Sequence, residues 1–158
     1  MSSTREKPTI VLVHGAWHEV SCWDLVRSEF HKQGYTSIAV PQLTTGSDPA
    51  LTTYDPDVEL VKNELVRLVE EENKDVVIVM HSYGGIVGSC AAEGFEVGTR
   101  KAKGQKGGVV GAVFITCFLI GDGGNIFGSM SAQPSWLVVD VSSFLLLSFF
   151  LLWTRALC

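Results

Sequence analysis

The sequence has few of the features that mark disulfide-rich, metal-binding or nucleic-acid-binding proteins. Its 158 residues include only four cysteines, which are scattered and form no C-x-x-C pair, so neither a disulfide framework nor a cysteine metal site is predicted. Basic residues are also few: 12 Lys and Arg stand against 17 Asp and Glu, and the net charge of −5 argues against a nucleic-acid partner. The polar N-terminus, MSSTREKPT, lacks the apolar segment of a secretory signal, and we therefore expect a cytoplasmic protein.

What the sequence does contain is a series of short apolar runs that alternate with stretches suited to helices. Hydrophobic residues make up 46% of the chain, which indicates a compact core, and the length fits one domain. The alternation predicts an α/β fold, a doubly wound parallel sheet with helices on both faces. The predicted strands are Thr9–Val13, Tyr35–Val40, Val76–Met80 and Val109–Ile115, and the predicted helices are Cys22–Lys32, one that starts at a capping Asp55 followed by Pro56, and Ile86–Ala92.

Two polar stretches separate these elements. The segment Gln42–Tyr54 follows the second predicted strand and is long enough to be a functional loop. The segment Arg100–Gly108, RKAKGQKGG, is basic and rich in glycine. Because no helix start follows it, we predict a solvated loop there rather than an anion site.

The segment Val76–Gly85, VVIVMHSYGG, carries the strongest signal for chemistry. An apolar strand ends at a His-Ser pair, and a helix-compatible stretch follows at once, which predicts a sharp strand-to-helix turn at Ser82. A serine on such a turn presents its Oγ clear of the backbone, and the helix behind it favours developing negative charge. The pentapeptide keeps the trailing glycine of the G-x-S-x-G nucleophile elbow, Gly84, but has Met80 in place of the leading one. The alternative is an ordinary small residue in a tight turn.

Together, HGAW at 14–17, IAVPQL at 38–43 and VMHSYGG at 79–85 resemble the α/β-hydrolase family, and within it the small cofactor-free esterases and hydroxynitrile lyases. The resemblance extends over roughly Pro8 to Asp140. It implies a sheet of α/β-hydrolase type and a serine hydrolase that acts on a carboxylic ester of a small organic molecule without a cofactor. A lyase acting on cyanohydrin-like substrates is the alternative within the family, because these motifs do not determine the reaction type.

The resemblance also implies roles for individual residues. Ser82 matches the family nucleophile, and the backbone N–H of Tyr83 matches the first donor of the oxyanion hole. The second donor belongs to the loop after His14-Gly15, where we prefer the N–H of Ala16 and keep that of Trp17 as the alternate. A serine that attacks a carbonyl needs two such fixed donors to hold the charge that develops on the carbonyl oxygen.

The general base has no match. The family order is Ser, then Asp or Glu, then His, whereas all four histidines (14, 18, 31 and 81) precede Ser82. We expect His14 to order the oxyanion loop, His81 to be packed and directed away from the serine, and the other two to be solvated. Asp122 and Asp140 are acidic candidates without a family match. The chain is thus expected to be truncated before the family's last strands and cap, and to be inactive by itself.

The last predicted segment is an apolar tail, residues 141–158, which follows the hydrolase-like part, residues 1–140. The Val-Ser pair after Asp140 is what an in-frame intron donor sequence encodes, so a translated intron is our preferred interpretation. The competing one is a membrane anchor, although Ser143–Trp153 is shorter than the ~20 residues that a span needs. From a different functional class, the chain would be a non-catalytic fragment or a membrane-tethered binding module. The oligomeric state stays open.

Overall fold

The computed structural model describes residues 6–118, which form a four-stranded parallel sheet with helices on both faces. The sheet order is β2-β1-β3-β4, and every neighbouring pair of strands is parallel. This confirms the predicted fold class. The strands are β1 (Thr9–Val13), β2 (Ser37–Val40), β3 (Asp75–His81) and β4 (Gly108–Ile115), so β1 has the bounds that the sequence predicts and the others differ by one to two residues at an end.

Three helices lie close to their predicted positions: the first begins two residues later than predicted, the third begins two residues earlier, and a fourth, short helix was not predicted. They are α1 (Asp24–Lys32), α2 (Asp55–Leu65), α3 (Gly84–Ala92) and α4 (Val97–Ala102). A 3₁₀ turn over Val20–Trp23 leads into α1, and a π-helical turn over Val66–Glu71 extends α2. The predicted cap of α2 is wrong in one respect: Asp55 is its first helical residue, and the preceding Tyr54 makes no capping side-chain bond.

Alternate residues of the central strands enter two separate cores. On one face Val11 and Val13 of β1 and Ile78 of β3 pack with Leu65 of α2 and Val87 of α3. On the other face Ile10 and Leu12 pack with Val79, Trp23 and the partly buried Phe30 of α1. Two-sided burial explains why these strands are continuous apolar runs rather than alternating ones. The cores hold the carboxyl ends of β1 and β3 side by side.

The interpretation of Arg100–Gly108 as a solvated loop is wrong at both ends of the segment: residues 100–102 belong to α4, and Gly108 is buried and begins β4. Arg100 lies in α4 and its side chain is buried. Its Nε donates to the carbonyl of Gly107 at 3.2 Å and its Nη2 donates to that of Lys106 at 3.1 Å, while Glu70 lies 3.5 Å from Nη1. The guanidinium therefore stabilises the turn that leads into β4.

Several predictions concern residues outside the described part of the chain. Asp122, Asp140, the boundary between residues 1–140 and 141–158, and the choice between a translated intron and an anchor all lie there. No helix in residues 6–118 is both long enough and apolar enough to cross a membrane.

Candidate active site

Ser82 occupies a strained turn between β3, which ends at His81, and α3, which begins at Gly84. Its φ is +51°, a left-handed conformation that costs a non-glycine residue about 1–3 kcal/mol. Hydrogen bonds hold this backbone on both sides. The Ser82 N–H donates to the Ile115 carbonyl at 3.1 Å, and the Ser82 carbonyl accepts from Gly85 N at 3.0 Å and Phe118 N at 3.3 Å.

Glycine is required at position 84, two residues after the serine, because the start of α3 contacts the end of β1. A Cβ on Gly84 would lie 2.5 Å from the Val13 carbonyl oxygen and 2.6 Å from that of His14. Met80, at the place of the missing leading glycine, is fully buried, and Gly88 leaves room for it: a Cβ there would lie 2.6 Å from the Met80 sulfur. The side chain of Met80, which replaces the leading glycine of the G-x-S-x-G pattern, thus fits because Gly88, one turn into α3, has no side chain.

The loop after β1 lies directly against the serine. A Cβ on Gly15 would be 3.1 Å from Ser82 Cβ and 2.8 Å from His81 Nδ1, so a larger residue at this position would displace the loop. Ala16 and Trp17 form the turn that follows, and the His18 N–H closes it with a 3.3 Å bond to the Gly15 carbonyl. Ala16 is half-buried, whereas Trp17 is exposed and has φ +61°.

Within residues 6–118, the predicted oxyanion donors make no hydrogen bond to another protein group. Among the hydrogen bonds formed within residues 6–118, the N–H groups of Ala16, Trp17 and Tyr83 do not appear as donors. Free, partly accessible N–H groups beside a serine Oγ are what an oxyanion hole requires.

His14 holds this loop in place. Its ring is buried, and its Nδ1 lies 2.9 Å from the Gly15 carbonyl, a distance that suits an Nδ1–H donor. The His14 carbonyl accepts a 2.7 Å bond from Nε2 of the buried Gln42. Gln42 belongs to the segment after β2, and neither its burial nor this contact is evident from the sequence.

His81 and His18 meet on the outer side of the loop. Their ring centroids are 5.4 Å apart in an edge-to-face arrangement, and His18 Nδ1 is 2.8 Å from the Ala16 carbonyl. Burial, followed by the charges of His18 and His14, lowers the pKa of His81 below its ordinary value.

The side-chain contact of Tyr83 and the partners that form it are not predicted from the sequence. The phenol of Tyr83 donates a 2.8 Å bond to Asp57 Oδ2, and Asp57 also accepts from the backbone and side chain of Thr44. Burial and then the Asp57 bond raise the pKa of the Tyr83 phenol. The one sequence signal is positional: Asp57 precedes Val61 and Leu65 by four and eight residues, which places a carboxylate on the apolar face of α2.

No group of three or more His, Cys, Asp or Glu side chains within residues 6–118 is arranged to hold a metal ion. The donors that the described site offers are backbone N–H groups, and its candidate nucleophile is the hydroxyl of Ser82. Such a set suits acyl transfer.

Comparison with known sequences gives consistent matches. The sequence model of the group described as "Alpha/beta hydrolase family" matches residues 10–156. The Alpha/beta hydrolase nvfD of Aspergillus novofumigatus is 30% identical over 127 residues, which are 80% of this chain and 50% of that protein. Methylesterase 1 of Arabidopsis thaliana is 33% identical over 122 residues, 75% of this chain and 43% of that protein. The chain thus spans about half the length of these curated relatives.

Solved structures share the fold. Tomato Methylketone Synthase I, in a variant complexed with beta-ketoheptanoate, superposes with a TM-score of 0.59 at 23% identity. The match covers 75% of this chain and 43% of the synthase chain. A mutant of polyneuridine aldehyde esterase gives a TM-score of 0.55 at 19% identity and covers 72% of this chain and 42% of its own.

Proposed function

This chain belongs to the alpha/beta hydrolase family, and from that premise we propose that Ser82 is the nucleophile of an esterase acting on a carboxylic ester of a small organic molecule. One observation carries the proposal. Ser82 stands on a turn with φ +51°, and the Gly15 loop lies close enough that an added Cβ would be 3.1 Å from Ser82 Cβ. Strain at a lone serine beside unoccupied N–H donors is typical of a functional turn.

The proposed chemistry is acyl transfer. Ser82 Oγ attacks the ester carbonyl carbon and loses its proton, and the carbonyl oxygen becomes an oxyanion. The N–H groups of Ala16 and Tyr83 hold that oxyanion, each contributing about 3 kcal/mol of transition-state stabilisation. Collapse of the tetrahedral intermediate expels the alkoxide, which leaves as the alcohol with the proton given up by Ser82, and water then cleaves the acyl-serine ester. No cofactor enters these steps.

The proton on Ser82 needs a base. All four histidines precede Ser82 in these 158 residues, so no residue occupies the family's position for the base. A serine without a base is a weak nucleophile. We therefore propose that the 158-residue chain alone has little esterase turnover, and that activity belongs to a longer protein that contains it.

The ester substrate is supported by the relatives. Methylesterase 1 and a "Carbendazim hydrolyzing esterase" of Nocardioides, 33% identical over 78 residues, are named for ester hydrolysis or as esterases.

The test is hydrolysis of 4-nitrophenyl esters of short acids by a full-length protein that contains this chain. Ser82→Ala should lower kcat by roughly a thousandfold or more. The matched control is Ser89→Ala, an exposed position in α3, which should retain full activity. Undiminished hydrolysis by Ser82→Ala would exclude the serine mechanism. Cleavage of a cyanohydrin without ester hydrolysis would replace the esterase with a lyase.

A further inference from the structure

A hydrogen-bonded chain joins three segments behind the serine turn. Thr44 lies in the segment after β2, Asp57 lies in the first turn of α2, and Tyr83 directly follows Ser82. The Thr44 N–H donates to Asp57 Oδ1 at 3.1 Å and the Thr44 hydroxyl donates to Oδ2 at 2.5 Å. The Tyr83 phenol donates to the same Oδ2 at 2.8 Å.

Asp57 is completely buried, with an exposure of 0%. A buried carboxylate is tolerated only where donors replace its water, and the three donors here do so from two directions. Thr44 supplies two of them and fixes the plane of the carboxylate. The carboxylate therefore fixes the position of the Tyr83 phenol, because a phenol placed elsewhere would leave Oδ2 with only the Thr44 hydroxyl as a donor.

Tyr83 is consequently held at both ends. Its backbone carbonyl accepts from Ile86 N at 3.0 Å in the first turn of α3, and its phenol is anchored on Asp57. Its N–H, on the same residue, donates to no acceptor within residues 6–118. The anchored side chain thus limits rotation of the peptide unit that follows Ser82.

We propose that Asp57 is a positioning residue, which fixes the Tyr83 backbone N–H as an oxyanion donor by anchoring the Tyr83 phenol. This inference rests on the proposed function of Ser82. Thr44 orients the carboxylate, so the loop after β2 contributes to the site without touching the substrate. Loss of this anchoring should slow the reaction of Ser82 about 10- to 100-fold, the range expected when a positioned group shifts by a fraction of an ångström to an ångström.

The experiment measures two quantities in the full-length protein. The first is the rate constant for labelling of Ser82 by a fluorophosphonate. The second is the ionisation of Tyr83, followed by NMR of ring-labelled tyrosine, with the signal assigned by Tyr83→Phe. The variants are Asp57→Asn, which places an NH₂ against at least one of the three donors, and Tyr83→Phe, which removes only the phenol oxygen. Asp55→Asn, two residues earlier and exposed, makes the same change of charge in the same helix.

We expect Asp57→Asn and Tyr83→Phe to slow labelling to a similar degree while circular dichroism still shows a folded protein, and Asp55→Asn to leave it unchanged. In Asp57→Asn the Tyr83 signal should titrate at lower pH than in the unaltered protein, a shift that a packing role of Asp57 would not produce. An unchanged Tyr83 titration, or full labelling rates in folded Tyr83→Phe, overturns the positioning role alone. Absence of Ser82 labelling in the unaltered protein overturns the proposed function. If Asp57→Asn does not fold, Tyr83→Phe decides the matter by itself.

Discussion

The two strands that flank β3, β1 and β4, are similarly apolar in sequence but are buried to very different degrees. On one side Leu12 and Val13 of β1 have exposures of 0%, and the start of α3 presses against the β1 carbonyls. On the other side, Val113 and Phe114 of β4 are 46% and 45% exposed, although Val113 lies in register opposite the buried Val79. A β-branched apolar run is therefore sufficient to form a strand, whereas burial depends on what covers the strand. The loop after β1, which we propose to supply one oxyanion donor, lies on the closely packed side.

The largest expected difference between the two sides comes from adding one methyl group to each. Gly84→Ala, on the β1 side, would place Cβ 2.5 Å from the Val13 carbonyl oxygen, an atom that cannot move aside. Overpacking of this kind costs about 1–3 kcal/mol, and a backbone clash should give the upper end of that range. Gly111→Ala, on β4, meets only Val77 Cγ2 at 3.8 Å. Urea unfolding should show a large loss for the first variant and none for the second, and equal losses would show that the two sides are packed alike.

A smaller difference is expected for the in-register pair. Val79→Ala removes two buried methyl groups and should lower the free energy of unfolding by about 2 kcal/mol. Val113→Ala removes the same atoms from a half-exposed position and should cost less than about 1 kcal/mol. The measurement is again denaturant unfolding, in this chain and in a full-length protein. A cost at Val113 that rises to that at Val79 in the longer protein would mean that further residues cover β4 there.

The smallest effect concerns pH and His81, which lies against Gly15 in the loop after β1. The pKa of His81 is lowered below 6.5 by burial and by the charges of His18 and His14. The unfolded chain then binds a proton more readily than the folded one, so the stabilising contribution is complete above the unfolded pKa and is lost as pH falls below it. The denaturant midpoint of unfolding should therefore be higher at about pH 7.5 than at about pH 5.5. The difference between the two midpoints should be smaller in His81→Gln. An identical pH dependence in the variant would show that His81 does not contribute.

Local patterns in the sequence predicted most of the backbone elements that position the candidate site. The apolar run of β1, the glycines after Ser82 and the His14-Gly15 pair each depend on neighbours along the chain, and the structure places them at one edge of the sheet. Asp57 could not be placed this way, because the partners that compensate its burial are set by the tertiary fold. Asp57 bonds to residues 13 and 26 positions away. From sequence, a charged residue is ordinarily assigned to the surface. Asp57 is buried instead because specific hydrogen-bond donors replace water around its carboxylate.

The central claim is that Ser82 is the reactive serine, and the site of covalent modification tests it most directly. A full-length protein that contains this chain is treated with a fluorophosphonate, digested, and analysed by mass spectrometry for the modified peptide. We predict a single adduct on the peptide that contains Ser82, and no adduct in Ser82→Ala. An adduct on another serine, or equal labelling of the Ser82→Ala variant, would contradict this account.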